Sequence, residues 1–270
     1  MHQSFSATCF FAALLYVVSP VAAAGMSPIA ADNFESGKAS ALWNSFAYVT
    51  VKPLPAATGR SGNGLAFGYV GNPVDTRDAT AEARFDLKKE YVELAIEYDL
   101  FIPANYKHIT PSDRADNNKF LRLWQVSYSV GEQIGAGTLP QGLNGESKIG
   151  TDYKKFPDWG VSTAIKQADN FITLSDLGQW MTVKIHVKAP SDKSKGVIQI
   201  YKNGNLLLND VAVPNNLPGL QGWRYGYLFG WANSGFREDT VLYIDNVKFS
   251  GETIAAFRSR ALLPVFQLLF

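Results

Sequence analysis

From residue 45 onward the apolar positions recur every second residue, the period of half-buried β-strands rather than of helices. The alternation predicts strands over Ser45–Lys52, Gly64–Val70, Thr80–Leu87, Tyr91–Ile102 and Lys119–Val130. It predicts further strands over Trp180–Lys188, Val197–Lys202, Asn205–Leu208, Arg224–Trp231 and Thr240–Ser250. Turn-forming runs separate them, at Gly59–Gly64, Gly71–Pro73 and Asn215–Gly219. The sharpest local signal is Asn203-Gly204 between two apolar runs, a pair suited to positive φ at both positions of a tight hairpin turn. Only Glu35–Leu42 and the tail after Glu252 carry a helical pattern. Many strands without helical crossovers predict an all-β fold, an antiparallel β-sandwich of jelly-roll type. One stretch breaks the alternation: Gly131–Gly160 holds seven glycines. A loop of that length is expected to wall a binding cleft or to be an insertion.

The strands also sort their side chains by face. Met181, Val183, Ile185 and Val187 form one row, with Thr182, Lys184, His186 and Lys188 opposite. Leu94, Ile96, Tyr98, Leu100 and Ile102 oppose Glu93, Glu97, Asp99 and Phe101, while Leu121 and Leu123 oppose Phe120, Arg122 and Trp124. The polar faces therefore mix aromatic, basic and carboxylate groups. Such a face suits sugar rings, which offer apolar surfaces and hydroxyl edges.

Composition narrows this picture. Twenty-five Lys and Arg against 24 Asp and Glu leave a net charge of +1, which gives no sequence-independent grip on nucleic acid and no polybasic membrane anchor. The apolar run Cys9–Val18, followed by Pro20 and Ala22–Ala24, reads as a secretory signal cleaved after Ala24 and is too short for a membrane span. The expected organisation is a signal at 1–24, one domain over 25–251 and a tail at 252–270, in a secreted or periplasmic protein. Cleavage would remove the single cysteine. Of the three histidines it would leave His108 and His186.

The runs Gly178–Val187 and Gly196–Gly204 resemble the strand pair of concanavalin A-like lectin and glucanase jelly rolls, above all secreted polysaccharide lyases and laminin-G-like modules. Ile96–Pro103 with Asn118–Trp124 is similar to paired strands of the lyase branch, and Leu242–Phe249 to the closing strand. The resemblance covers roughly Asp32 to Gly251. It implies the fold and a polysaccharide partner, but the fold carries lectins, hydrolases and lyases alike.

For β-elimination on a uronic-acid glycan, Arg122 would neutralise the carboxylate, His186 would serve as base, and Tyr201 or Tyr227 would donate the proton. Trp124, Lys184, Gln199, Tyr227, Trp231, Glu97 and Asp99 would contact the chain. Lyases of this fold commonly carry Gln-x-His, where this sequence has Lys184-Ile185-His186. The hydrolase branch uses Glu-x-Asp-x-x-Glu, where Glu97 and Asp99 are followed by Ile102, so the second carboxylate that hydrolysis requires is missing. A non-catalytic, lectin-like carbohydrate-binding module accounts for the aromatic residues equally well. The resemblance also implies a structural calcium held by Asp32, Glu35 and Asp245 where the chain ends meet. No organic cofactor is expected.

Overall fold

The computed structural model describes residues 25–72, 79–107, 118–142, 144–155, 163–191, 195–213, 221–233 and 235–267. The expected signal segment, His108 and the turn over 215–219 lie outside the described residues. In chain order the elements are β1 (Ser27–Asp32), β2 (Trp43–Ala47), β3 (Val49–Pro53), β4 (Asn63–Tyr69), β5 (Ala79–Ile102), β6 (Asn118–Trp124) and β7 (Glu132–Pro140). They continue as β8 (Ser147–Lys155), β9 (Thr163–Ile172), β10 (Gln179–Lys188), β11 (Gly196–Lys202), β12 (Asn205–Val213), β13 (Trp223–Ala232), β14 (Thr240–Thr253) and α1 (Ile254–Gln267).

One strand organises the two layers. β5 runs for 24 residues, and Lys88 in its middle takes a φ of 64°. Before Lys88 the strand pairs antiparallel with β13 and β2; after it, with β10 and β14. The first layer therefore runs β12-β11-β10-β5-β14-β4-β3, with β1 on the far end of β14. The second runs β2-β5-β13-β6-β7-β8-β9. The expected antiparallel sandwich is what forms.

The inner faces follow the alternation in the sequence. Leu94, Ile96, Tyr98, Leu100 and Ile102 of β5, and Met181, Val183, Ile185 and Val187 of β10, are all buried. Each such side chain stabilises the fold by roughly 1.5–3 kcal/mol relative to exposure. The layers meet through aromatic edges: Tyr98 of the first lies 6.3 Å from Phe120 and 6.5 Å from Phe229 of the second. The Asn203-Gly204 turn forms as expected, with φ of 50° and 79°.

Several expectations are corrected. Glu35–Leu42 is a chain of turns, not a helix. Asp32 accepts the Phe34 and Ser40 amides, and Phe34 and Gly37 take positive φ, so side-chain bonding outcompetes the helix. Gly131–Gly160 is not one long loop: β7 and β8 fill most of it. Ile134 and Ala136 point inward while glycines take the outer positions, which hides the polar half of the alternation. Thr80–Leu87 and Tyr91–Ile102 are one bent strand, and Ser45–Lys52 is broken at Tyr48, whose φ is 53°. Phe120 faces the core because the register shifts between Lys119 and Leu121. The tail is helical, as α1, and no helix among the described residues is long and apolar enough to cross a membrane.

Candidate active site

The outer face of the second layer is built from cross-strand rows. One row runs Arg84, Tyr227, Arg122, Gly135, Asp152 from β5 through β13, β6 and β7 to β8. The next runs Asp86, Tyr225, Trp124, Gln133, Lys154. A third, on the other side of the first, runs Lys119, Gly137, Gly150, Gln167. Members of all three rows line a cleft of about 260 Å³ whose walls include Lys119, Arg122, Asp152, Lys154, Gln167 and Asn233.

Gly135 lets two of the lining side chains meet. Arg122 and Asp152 sit on strands that are not neighbours, yet Arg122 Nη2 donates to Asp152 Oδ2 at 2.9 Å. A Cβ on Gly135 would lie 2.8 Å from Arg122 Cζ and 2.5 Å from Asp152 Oδ1, so the pair bridges β7 only because that strand carries no side chain there. Arg122 is 3% exposed, and its Nη1 has no hydrogen-bond partner among the described residues.

The electrostatics follow from this placement. Burial opposes the charge on Arg122, but Asp152 and Tyr227 hold its guanidinium above the usual range. Burial, first, and then the neighbouring Arg122 push the Lys154 amine down, with Asp152 acting in the opposite direction. Burial pushes the Tyr227 phenol up against the pull of Arg122, so it stays protonated. Beside the cleft, Trp124 stacks on Tyr225 with centroids 6.3 Å apart, and Arg84 lies 5.3 Å from the Tyr128 ring. Arg84 itself pairs with Glu82 at 2.5 Å.

The residues expected to act together are divided between the two outer faces. Arg122, Trp124 and Tyr227 belong to the second layer; Trp124 and Tyr227 are buried under their aromatic neighbours, so they back the site. Trp231 is half-exposed at the end of β13. His186, Tyr201, Lys184, Gln199, Glu97 and Asp99 are on the outer face of the first layer, across the core. There His186 Nε2 meets Glu93 Oε1 and Nδ1 meets Gln199 Oε1, both at 2.8 Å. Gln199 Nε2 donates to Asn209 Oδ1 at 3.0 Å, and the Tyr201 hydroxyl donates to Gln199 Oε1 at 3.2 Å. The expectation that His186, Tyr201 and Arg122 share one cleft is thus corrected: β10 and β6 present outward side chains from opposite layers. The sequence reading missed Lys119, Asp152 and Lys154. The signal was there in Asp152-Tyr153-Lys154, two charges flanking a buried ring at the strand period.

Nor do Glu97 and Asp99 form a hydrolytic pair in the cleft. Asp99 accepts from Arg60 at 2.7 Å, Thr182 at 3.0 Å and Asn246 at 3.0 Å on the first layer. The carboxylates expected to hold calcium are engaged by donors of the chain itself. Asp32 accepts from the Phe34 amide (3.0 Å), the Ser40 amide (2.7 Å) and Trp43 Nε1 (3.1 Å), so these N–H groups take most of its lone pairs. Glu35 accepts from the Asn63 amide, and Asp245 from the Asn246 amide. Among the described residues no three acidic, histidine or cysteine side chains group as metal ligands.

The fold is an antiparallel jelly-roll sandwich, like that of the concanavalin A-like proteins the chain resembles. Within it, the polysaccharide lyase family model matches residues 122–248, just under half of the chain, and supports a polysaccharide lyase. The chain is similar to an endo-β-1,4-glucuronan lyase from the fungus Trichoderma reesei, with a TM-score of 0.58 and 14% identity over 85% of this chain and 98% of that one. It is similar to the alginate lyase vAL-1 from Chlorella virus, with a TM-score of 0.54 and 12% identity over 83% of this chain and 100% of that one. A glycoside hydrolase family 16 endo-glucanase from Bacteroides ovatus also superposes, with a TM-score of 0.55 and 14% identity over 81% and 98%. At such identities the likeness is one of fold. No curated protein matches the sequence.

Proposed function

We propose that this protein is a lyase that cleaves a uronic-acid glycan by β-elimination in the second-layer cleft. The observation that carries the reading is Lys154 beside the buried Arg122, in a cleft lined also by Gly137 and Gly150. The uronate carboxylate would be drawn to Arg122 Nη1 and Lys119, which offset the charge that builds as the C5 proton leaves. Lys154, its amine pushed down, takes that proton. The C4–O bond breaks, its electron pair leaves with the oxygen, and a C4–C5 double bond forms. The Lys154 ammonium then returns the proton to the departing oxygen, so one side chain balances the step. Tyr227, buried and protonated, steadies Arg122 rather than touching sugar.

The glucuronan lyase and alginate lyase of the same fold make a polyuronate the substrate to try first. The apolar leader and its small-residue site support export to the medium or periplasm, where such polymers are met. The test incubates purified protein with alginate, glucuronan and glycosaminoglycans and follows the ultraviolet absorbance of the unsaturated uronide. Rising absorbance that Lys154→Arg abolishes supports the reading, because arginine keeps the charge but cannot act as base. Binding without any rise in absorbance would replace it with the lectin-like module.

A further inference from the structure

We propose that Asp152 is the positioning residue of this cleft, reaching across the gap at Gly135 to fix Arg122 and standing two residues from Lys154 on the same strand face. The inference rests on the lyase reading and adds a group that acts through Arg122 and Lys154. Three observations support it. Asp152 engages one nitrogen of Arg122 at 2.9 Å and leaves Nη1 without a partner among the described residues, so the guanidinium is held in one orientation with a donor in reserve. The bridge spans two inter-strand steps, roughly 9–10 Å of backbone separation, which is workable only over a glycine. Asp152 and Lys154 both point outward from β8, because Thr151 and Tyr153 between and beside them are buried.

Asp152 therefore has two neighbours to serve. To Arg122 it gives orientation. To Lys154 it supplies a negative charge that counters the guanidinium. Among the described residues, the charged groups lining the cleft with Lys154 are Arg122 and, further along, Lys119 from β6, with Asp152 from β8 itself; β7 offers the neutral Gln133 and its glycines, and β13 the phenol of Tyr227. Burial and then Arg122 push the Lys154 amine down and Asp152 opposes them, so the carboxylate helps set how readily Lys154 gives up its proton.

The experiment compares Asp152→Asn and Asp152→Glu with the unaltered chain. The first readout is competitive labelling of Lys154 by acetic anhydride across pH, which needs no turnover and stays informative if the lyase reading fails. Loss of the negative charge in Asp152→Asn should move the labelling midpoint to lower pH by about one unit, and Asp152→Glu should restore it. The second readout is steady-state cleavage of a polyuronate. Asp152→Asn should lower kcat by about 10-fold or more with KM little changed, since Arg122 keeps its charge but loses its orientation. Partial recovery of kcat is expected in Asp152→Glu. A labelling midpoint that does not move would overturn the proposal, as would a variant that loses only thermal stability while kcat and KM stand. If the unaltered chain cleaves nothing but the midpoint still shifts, the lyase reading fails and the influence of Asp152 on Lys154 survives.

Discussion

The two outer faces are made by the same device, strands alternating inward apolar and outward polar residues, and yet they spend their polar groups differently. On the first layer a group of outward residues satisfies itself. Glu93, His186, Gln199 and Asn209 form a chain of hydrogen bonds across β5, β10, β11 and β12. On the second layer the outward rows are interrupted by Gly135, Gly137 and Gly150, and Arg122 keeps a buried nitrogen with no partner among the described residues. Buried donors are nearly always satisfied, so an unsatisfied one in a cleft marks where a ligand or water completes the set. A polar face that closes on itself stabilises; one with a gap can bind.

The sharpest way to break this comparison is to exchange the two candidate bases. Lys154→Met is expected to cut polyuronate cleavage by roughly 10²–10⁴-fold, the usual worth of a positioned general base. His186→Ala, on the self-satisfied face, should leave kcat/KM within about 3-fold, well inside one factor of ten or 1.4 kcal/mol. Initial rates of absorbance increase at saturating and limiting polymer give both values. A large loss from His186→Ala with none from Lys154→Met would return the chemistry to the first layer.

A second contrast concerns stability. Gly135→Val would force its side chain into the Arg122–Asp152 pair and should cost about 3 kcal/mol, the lower end for breaking a buried pair. Asn209→Ala removes one neutral hydrogen bond at the end of the opposite ladder and should cost about 1 kcal/mol. Urea titrations that shift the midpoint at constant m would measure both. These two sites also show how far the sequence could be read. Strands that alternate apolar with polar residues, such as Trp180–Lys188, were legible down to the face of each side chain. β7 was not, because its outer positions are glycines and alternation with glycine looks like loop. The layer to which each strand belongs was also hidden. It depends on the bend of β5 at Lys88, a single positive φ on a residue that seldom adopts one, and that bend put His186 and Arg122 on opposite sides of the core.

Acid should separate the faces further. At the rim of the cleft face, hydrogen bonds from Arg224 and Lys88 outweigh burial and lower the Asp86 carboxyl to about 2. On the other face the hydrogen bond from His186 lowers the Glu93 carboxyl below its ordinary value. For both groups the folded value lies below the unfolded one. Their stabilisation is therefore complete above the unfolded value and is lost as pH falls through the folded value. Asp86→Asn should flatten the fall in stability between about pH 4 and about pH 2. Glu93→Gln should flatten it only in the window that opens just below the ordinary glutamate value of 4.5. Thermal melts from neutral pH to pH 2 would resolve the two windows, and identical slopes for both variants and the unaltered chain would contradict the assignment.

The smallest effect expected is that of a chelator. A calcium ion bound only to the folded chain would stabilise it by mass action, and each kcal/mol would move Tm by about 2–4 °C in a protein of this size. The carboxylate best placed to tie the chain ends together is Asp32, at the end of β1 where it pairs with β14. Its two oxygens already accept three N–H donors, whose positive ends occupy the directions a cation would approach from. The termini are tied instead by the β1–β14 ladder and by the loop that Asp32 folds around itself. Chelation should therefore leave Tm within about 1 °C, whereas Asp32→Ala, which strands the Ser40 and Phe34 amides and the Trp43 ring nitrogen, should lower it. A drop in Tm on chelation that added calcium reverses, and that Asp32→Ala no longer shows, would place the ion at this carboxylate after all.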